Sequence, residues 1–175
     1  MEVTKVMISA EEIDAKLAEM GRAITEDYKG EDLLMVGILK GAFIVMADLA
    51  RHVDLPVEFD FMAVSSYGSA TKSSGVVRIL KDLDTEIAGR HVLIVEDIID
   101  SGLTLHYLMR NLRVRNPKSL KLAALLIKDG VERPPMEVAY EGFHIPPEFV
   151  VGYGLDYAEK YRNLPYIGIM EETPE

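Results

Sequence analysis

The segment Leu33-Leu34-Met35-Val36-Gly37-Ile38-Leu39 constrains this chain most, because an unbroken run without a polar side chain suits a strand covered on both faces. Such a strand needs helices on either side, and the sequence supplies them in alternation. Ser9 followed by Glu12 reads as a capping box, and Ile13, Leu17, Met20 and Ile24 then mark one stripe of a first helix. Gly41 to Ala50 fits a helix packed behind the first strand, and Val57 to Val64 a second strand. Val76 to Leu80 and His91 to Val95 give two more strands, Leu103 to Leu112 a helix, Leu120 to Ile127 a strand, and Phe149 to Tyr153 a last short one. Strands separated by helices favour a mainly parallel sheet covered on both faces. In such sheets ligands bind beyond the carboxyl ends of the strands, so the loops there are where chemistry is sought.

Composition removes several function classes. The 175 residues hold 49% apolar side chains, enough for the core of one domain. Nineteen Lys and Arg against 29 Asp and Glu leave a net charge of −10, which disfavours nucleic-acid or anionic-membrane binding by bulk electrostatics. The lack of cysteine excludes a disulfide framework and a thiolate nucleophile and suits a reducing cytosol. Neither the charged first 25 residues nor any later run reads as a signal core or membrane span, so the expectation is a cytoplasmic protein. The four histidines are scattered without metal-ligand spacing, and no P-loop or G-x-G-x-x-G is present.

The informative stretch begins at Val92-Leu93-Ile94-Val95, an apolar strand that runs directly into Glu96-Asp97-Ile98-Ile99-Asp100-Ser101-Gly102-Leu103-Thr104. A helix cap by Asp100 or Ser101 would explain any one of these residues. It does not explain three acids, because two adjacent half-buried carboxylates are costly unless cations or donors meet them. Asp100 to Thr104 instead suits a phosphate cradle, with helix N–H groups, two hydroxyls and a glycine that lets the backbone come close. Glu96 and Asp97 would repel a phosphate at the same spot, so they more plausibly face hydroxyls or a magnesium-bound group, and the vicinal diol of a sugar phosphate satisfies both halves.

Val92 to Thr104 resembles the phosphoribosyl-pyrophosphate signature of the type I phosphoribosyltransferases, and Glu96 to Thr104 resembles their hypoxanthine-guanine branch. Leu39-Lys40-Gly41-Ala42-Phe43 is similar to that family's pyrophosphate loop, Ser65-Ser66-Tyr67-Gly68 to its mobile lid, and Phe149 to Asp156 to its base-binding hood. The motifs lie in order over roughly residues 33 to 168. The resemblance implies an α/β fold: a mainly parallel twisted sheet flanked by helices, in one domain over 1–175. The core would span about 30–145, and a small hood would come from about 1–28 and 146–175.

It also implies a reaction, transfer of the phosphoribosyl group to an oxopurine with release of pyrophosphate, and a set of roles. Asp100 would face N7 of the purine as general base. Glu96, Asp97, Asp100, Ser101, Gly102, Leu103 and Thr104 would hold the phosphoribosyl group. Leu39, Lys40 and Gly41, with a cis peptide at Leu39-Lys40, would meet pyrophosphate together with Ser66, Tyr67 and Arg162, whose planar fork suits a pair of phosphate oxygens. Lys128 would donate to O6 and so favour an oxo over an amino purine, Phe149 would stack on the base, and the Val150 backbone would bond its edge. Mg2+ is the implied cofactor, with Glu96, Asp97 and Asp156 as hard oxygen ligands and Asp156 also beside the purine. A homodimer or homotetramer acting on small molecules, without nucleic acid or membrane, completes the expectation.

Ser65 to Gly75 holds five serines and two glycines with hardly an apolar anchor, a composition that suits a lid closing over a water-sensitive centre. Ser101 and Leu103 stand where some relatives carry Thr and Lys, leaving the phosphate to backbone and hydroxyl donors. Asp129-Gly130-Val131-Glu132 is acidic where some relatives are basic. The rival readings are a sensor of phosphoribosyl pyrophosphate that regulates nucleic acid, which the acidic balance opposes, and an enzyme of the same fold that prefers xanthine.

Overall fold

The computed structural model describes residues 1–66 and 77–173. Its elements run β1 (Glu2–Ile8), α1 (Ala10–Asp27), β2 (Leu33–Leu39), α2 (Phe43–Arg51), β3 (Glu58–Ser66), β4 (Val77–Lys81), β5 (His91–Ile99), α3 (Leu103–Arg113), β6 (Ser119–Lys128), β7 (Tyr140–Ile145), β8 (Val150–Val151) and β9 (Ile167–Glu171). Six strands form one sheet in the order β4-β3-β2-β5-β6-β7, parallel except for the antiparallel edge strand β4. The mainly parallel sheet expected from the alternation is therefore present. A separate antiparallel sheet, β1-β9-β8, joins the two ends of the chain.

The side-chain period of two divides the parallel strands between two apolar layers. Leu33 and Met35 of β2 and Leu93 and Val95 of β5 join α1 and α2 in one cluster. Leu34, Val36, Val92 and Ile94 face the other way and pack with Leu105, Leu108 and Leu112 of α3. The neighbours β2 and β5 lead into helices on opposite faces of the sheet. That reversal opens a crevice beyond their carboxyl ends, at the topological switch point.

The capping box at α1 is realised: the Ser9 hydroxyl accepts from the Glu12 N–H at 3.1 Å, and the Glu12 carboxylate accepts from the Ser9 N–H at 3.1 Å. Several boundaries differ from the sequence reading. β5 continues four residues past Val95, because Glu96, Ile98 and Ile99 stay paired with Ala124, Leu126 and Ile127 of β6. α2 begins at Phe43 rather than Gly41, and the last short strand shrinks to Val150–Val151. β1, β7 and β9 were not read from the sequence at all. β1 carries two register shifts that break its alternation, and its partner β9 lies at the far end of the chain. Among the described residues no helix is long and apolar enough to cross a membrane.

Asp60, only 5% exposed, ties β3 to the loop after β4. Its carboxylate accepts from the N–H groups of Asp84 at 3.0 Å and Thr85 at 2.9 Å and lies 3.8 Å from the Lys81 ammonium. Burial alone would raise its pKa, but the Phe61 and Thr85 hydrogen bonds and the Lys81 charge outweigh it and hold the carboxyl below its ordinary range. That contribution is complete above the unfolded carboxylate range and is lost as pH falls through the lowered value. Asp60→Ala should therefore cost about 1–3 kcal/mol in urea unfolding at neutral pH. The gap from wild type should narrow in acid, and an equal gap at both pH values would refute the ionic role.

Candidate active site

The crevice between β2, β5 and the start of α3 is a cavity of about 300 Å³ lined by Leu39, Gly41, Val64 and the whole stretch from Glu96 to Leu105. The two halves of the sequence motif lie on one wall. Neither Asp100 nor Ser101 caps α3, contrary to the simple helix-cap reading. Gly102 takes the N-cap position at φ 69°, in the left-handed region that glycine enters at little cost, and no side chain caps the helix. The first turn thus meets the cavity with its amide ends and positive dipole, the arrangement that favours an anion.

Glu96 and Asp97 sit side by side at the other end of this wall. Desolvation, with the neighbouring Asp97 charge added, pushes the Glu96 carboxyl well above its usual range. Asp97 is also raised by burial, partly offset by the Ile98 N–H at 2.7 Å, by a hydrogen bond with Glu96 and by the more distant charge of Arg162. An acid pair in this state favours a cation or further donors. Gly41 lies opposite it, where a Cβ would push the Asp97 carboxylate aside, and the Leu39–Lys40 peptide before it is cis as the resemblance implied.

The segment after β8 lies over this loop. Gly154, at φ 100°, packs so closely on the Gly41 carbonyl that a Cβ would collide with it. Arg162 donates to the Gly154 carbonyl at 2.7 Å and lies 3.5 Å from Asp156 and 3.4 Å from Glu159, while its buried Nε has no partner among the described residues. Glu159 also accepts from the Lys40 ammonium at 2.8 Å, a bond that holds its carboxyl below the ordinary range. One carboxylate therefore bridges the two cations assigned to pyrophosphate. Sequence reasoning passed over Glu159, because a lone acid beside an arginine resembles any solvated pair.

At the base end, the Lys128 ammonium is mostly covered and lies 3.2 Å from the Asp100 carboxylate. Phe149 is 44% exposed, with its ring edge-on to Tyr157 at 5.9 Å, so an aromatic face remains for stacking. Val150 is buried and paired with Ile169. Ser66 ends β3 opposite Val77, whereas Tyr67 and nearly all of the lid expected over 65–75 lie outside the described residues.

The expected magnesium ligands fall on two segments, Glu96 and Asp97 in β5 and Asp156 after β8. Among the described residues no three carboxylate or imidazole groups converge on a site for an ion. The Asp156 carboxylate accepts from the Glu159 N–H at 2.9 Å and lies 3.5 Å from Arg162. The oxygen donors fit a hard cation, which would relieve the acid pair most.

Comparison with known proteins agrees with this geometry. A family model described as phosphoribosyl transferase domain matches residues 9–158. The chain is 56% identical to hypoxanthine-guanine phosphoribosyltransferase of Mycobacterium tuberculosis (strain CDC 1551 / Oshkosh), over 97% of this chain and 87% of that protein. It is 53% identical to the Bacillus subtilis (strain 168) protein of the same name, over 97% and 94%. A crystal structure of a hypoxanthine phosphoribosyltransferase from Staphylococcus aureus superposes with a TM-score of 0.94 at 45% identity, covering 97% of this chain and 92% of that one. A Bacillus anthracis hypoxanthine-guanine phosphoribosyltransferase, solved with a HEPES molecule in its active site, gives 0.93 at 45% identity, covering 97% and 100%.

Because the raised Glu96 carboxyl binds its proton more tightly folded than unfolded, native stability falls as pH rises out of the ordinary carboxylate range. Glu96→Gln should melt at a higher temperature than wild type at neutral pH, and the two curves should converge in acid. A variant melting lower at neutral pH would show that the acid pair stabilises the empty fold.

Proposed function

The chain belongs to the phosphoribosyl transferase family, and from that premise we propose that it makes IMP, and GMP, from hypoxanthine or guanine and phosphoribosyl pyrophosphate, in purine salvage. One observation carries the reading: an acid pair and an uncapped, glycine-led helix turn share one cavity at the end of a single strand. A ribose 5-phosphate has a diol for the first and an anion for the second.

In this reading Leu103 and Thr104 present the first turn of α3 to the 5′-phosphate with Ser101 and Gly102, and Glu96 and Asp97 receive the ribose hydroxyls. Leu39, Lys40, Gly41, Ser66, Tyr67 and Arg162 receive the pyrophosphate, which must displace Glu159 from Lys40 and Arg162. The buried, unpartnered Nε of Arg162 supports that exchange, since a doubly bonded phosphate group suits a guanidinium better than one distant carboxylate. Magnesium carried by the substrate would neutralise charge on the departing group, with Glu96 and Asp97 near one position and Asp156 near the other.

The purine N9 attacks carbon 1 of the ribose as the bond to pyrophosphate breaks, and the proton leaving N7 passes to the Asp100 carboxylate. Lys128, held 3.2 Å from that carboxylate in the empty site, turns to O6, while Phe149 stacks on the ring and the Val150 backbone meets its edge. An amino group at position 6 offers no lone pair to an ammonium, so adenine is discriminated against.

Incubation with phosphoribosyl pyrophosphate, magnesium and each of hypoxanthine, guanine, xanthine, adenine and uracil should yield nucleotide from the first two. Asp100→Asn should lower kcat by about 10²-fold or more while leaving phosphoribosyl pyrophosphate binding largely intact. No product with any oxopurine would overturn the reading, and an unchanged kcat would remove Asp100 from the base role.

A further inference from the structure

The segment between β6 and β7 contains an arginine with no part in the roles above. Arg133 folds back so that its guanidinium donates to the main-chain carbonyl of Lys128. Lys128 is the last residue of β6 and pairs with Ile145 of β7. Gly130, at φ 73°, permits the tight return of the chain. On the other side of Lys128, the Asp129 N–H donates to the Ile145 carbonyl at 2.8 Å, and the Asp129 carboxylate meets His144 at 2.8 Å. The backbone that carries the Lys128 ammonium is thus held from two directions.

The Arg133 backbone also lies close to the phosphate turn. A Cβ built on Gly102 would lie 3.9 Å from the Arg133 Cβ and 3.3 Å from the Met136 side chain. Met136 and Val138 of the same segment pack on the cluster that includes α3. The segment that carries Arg133 therefore lies between the strand end that would read the base and the turn that would hold the phosphate. A charge-assisted bond to a carbonyl is among the stronger hydrogen bonds available, and an ångström of slack at the root of a long side chain misplaces its tip.

We propose that Arg133 is a positioning residue for base selection: it fixes the Lys128 main chain against the phosphate turn, so that the ammonium stays aligned with O6 of the oxopurine. This rests on the functional reading above and extends it to a residue that touches no substrate. A purely structural staple would affect stability alone, whereas a positioning residue changes base affinity and base discrimination.

The test compares wild type with Arg133→Ala, Arg133→Gln and Arg133→Lys. Arg133→Ala should raise the hypoxanthine KM by about 10-fold and leave the phosphoribosyl pyrophosphate KM within about two-fold. The preference for hypoxanthine over adenine should shrink with it. In calorimetry, IMP should bind more weakly to the variant while ribose 5-phosphate binds as before. Arg133→Lys and Arg133→Gln, which keep a donor, should recover part of the loss, and they carry the test if the alanine variant does not fold. An active wild type beside an Arg133→Ala enzyme with lower melting temperature but unchanged hypoxanthine KM and base preference overturns this inference alone. A wild type that makes no nucleotide from hypoxanthine overturns the functional reading and this inference together.

Discussion

Two carboxylates forced together at the open end of the central strand govern much of this molecule. Glu96 continues the ladder with β6, and Asp97 follows it at the mouth of the crevice, so the β5 backbone holds the two acids side by side. Their raised pKa values express the cost of that placement in the empty site. Nearby features adapt to it. Gly41 lacks a side chain so that the β2 loop can pass the Asp97 oxygens, and Gly154 lacks one so that the hood segment can rest on Gly41. A fold stabilised by apolar layers on both faces tolerates this local cost, and a ligand rich in hydroxyls, with a cation, relieves it.

Charge is arranged in matched pairs around the same crevice. Lys40 and Arg162 share Glu159, and Lys128 faces Asp100. Each cation expected to bind an anion or a carbonyl is thus held by a carboxylate that competes with the ligand. The Lys40–Glu159 pair is exposed and contributes little to stability, so exchanging it for a multiply charged phosphate costs little. The site can stay ordered when empty and remain open to substrate.

Much of the site was legible beforehand because it is local in sequence. Glu96 to Thr104 places acids, glycine and hydroxyls on consecutive residues, and a strand running into a helix leaves them few positions to take. The cis Leu39–Lys40 peptide came only through resemblance, since no propensity of leucine or lysine indicates it. Asp156 and the Glu96-Asp97 pair belong to separate segments, so how near they come depends on how the hood docks. Glu159 and Arg133 carried no pattern: each acquires meaning only from a partner far off in space or folded back around a turn.

By itself the sequence determined the alternating architecture, the capping box of α1 and the parallel core, because these follow from periodicity and from neighbours along the chain. The tertiary structure alone decided that β5 runs on to Ile99, that Gly102 rather than Asp100 or Ser101 begins α3, and that Glu2 to Ile8 pairs with Ile167 to Glu171. The physical reason is the same in each case. A strand's length, a helix's first residue and a pairing between chain ends depend on hydrogen-bond partners supplied by distant segments, and no local pattern encodes those partners.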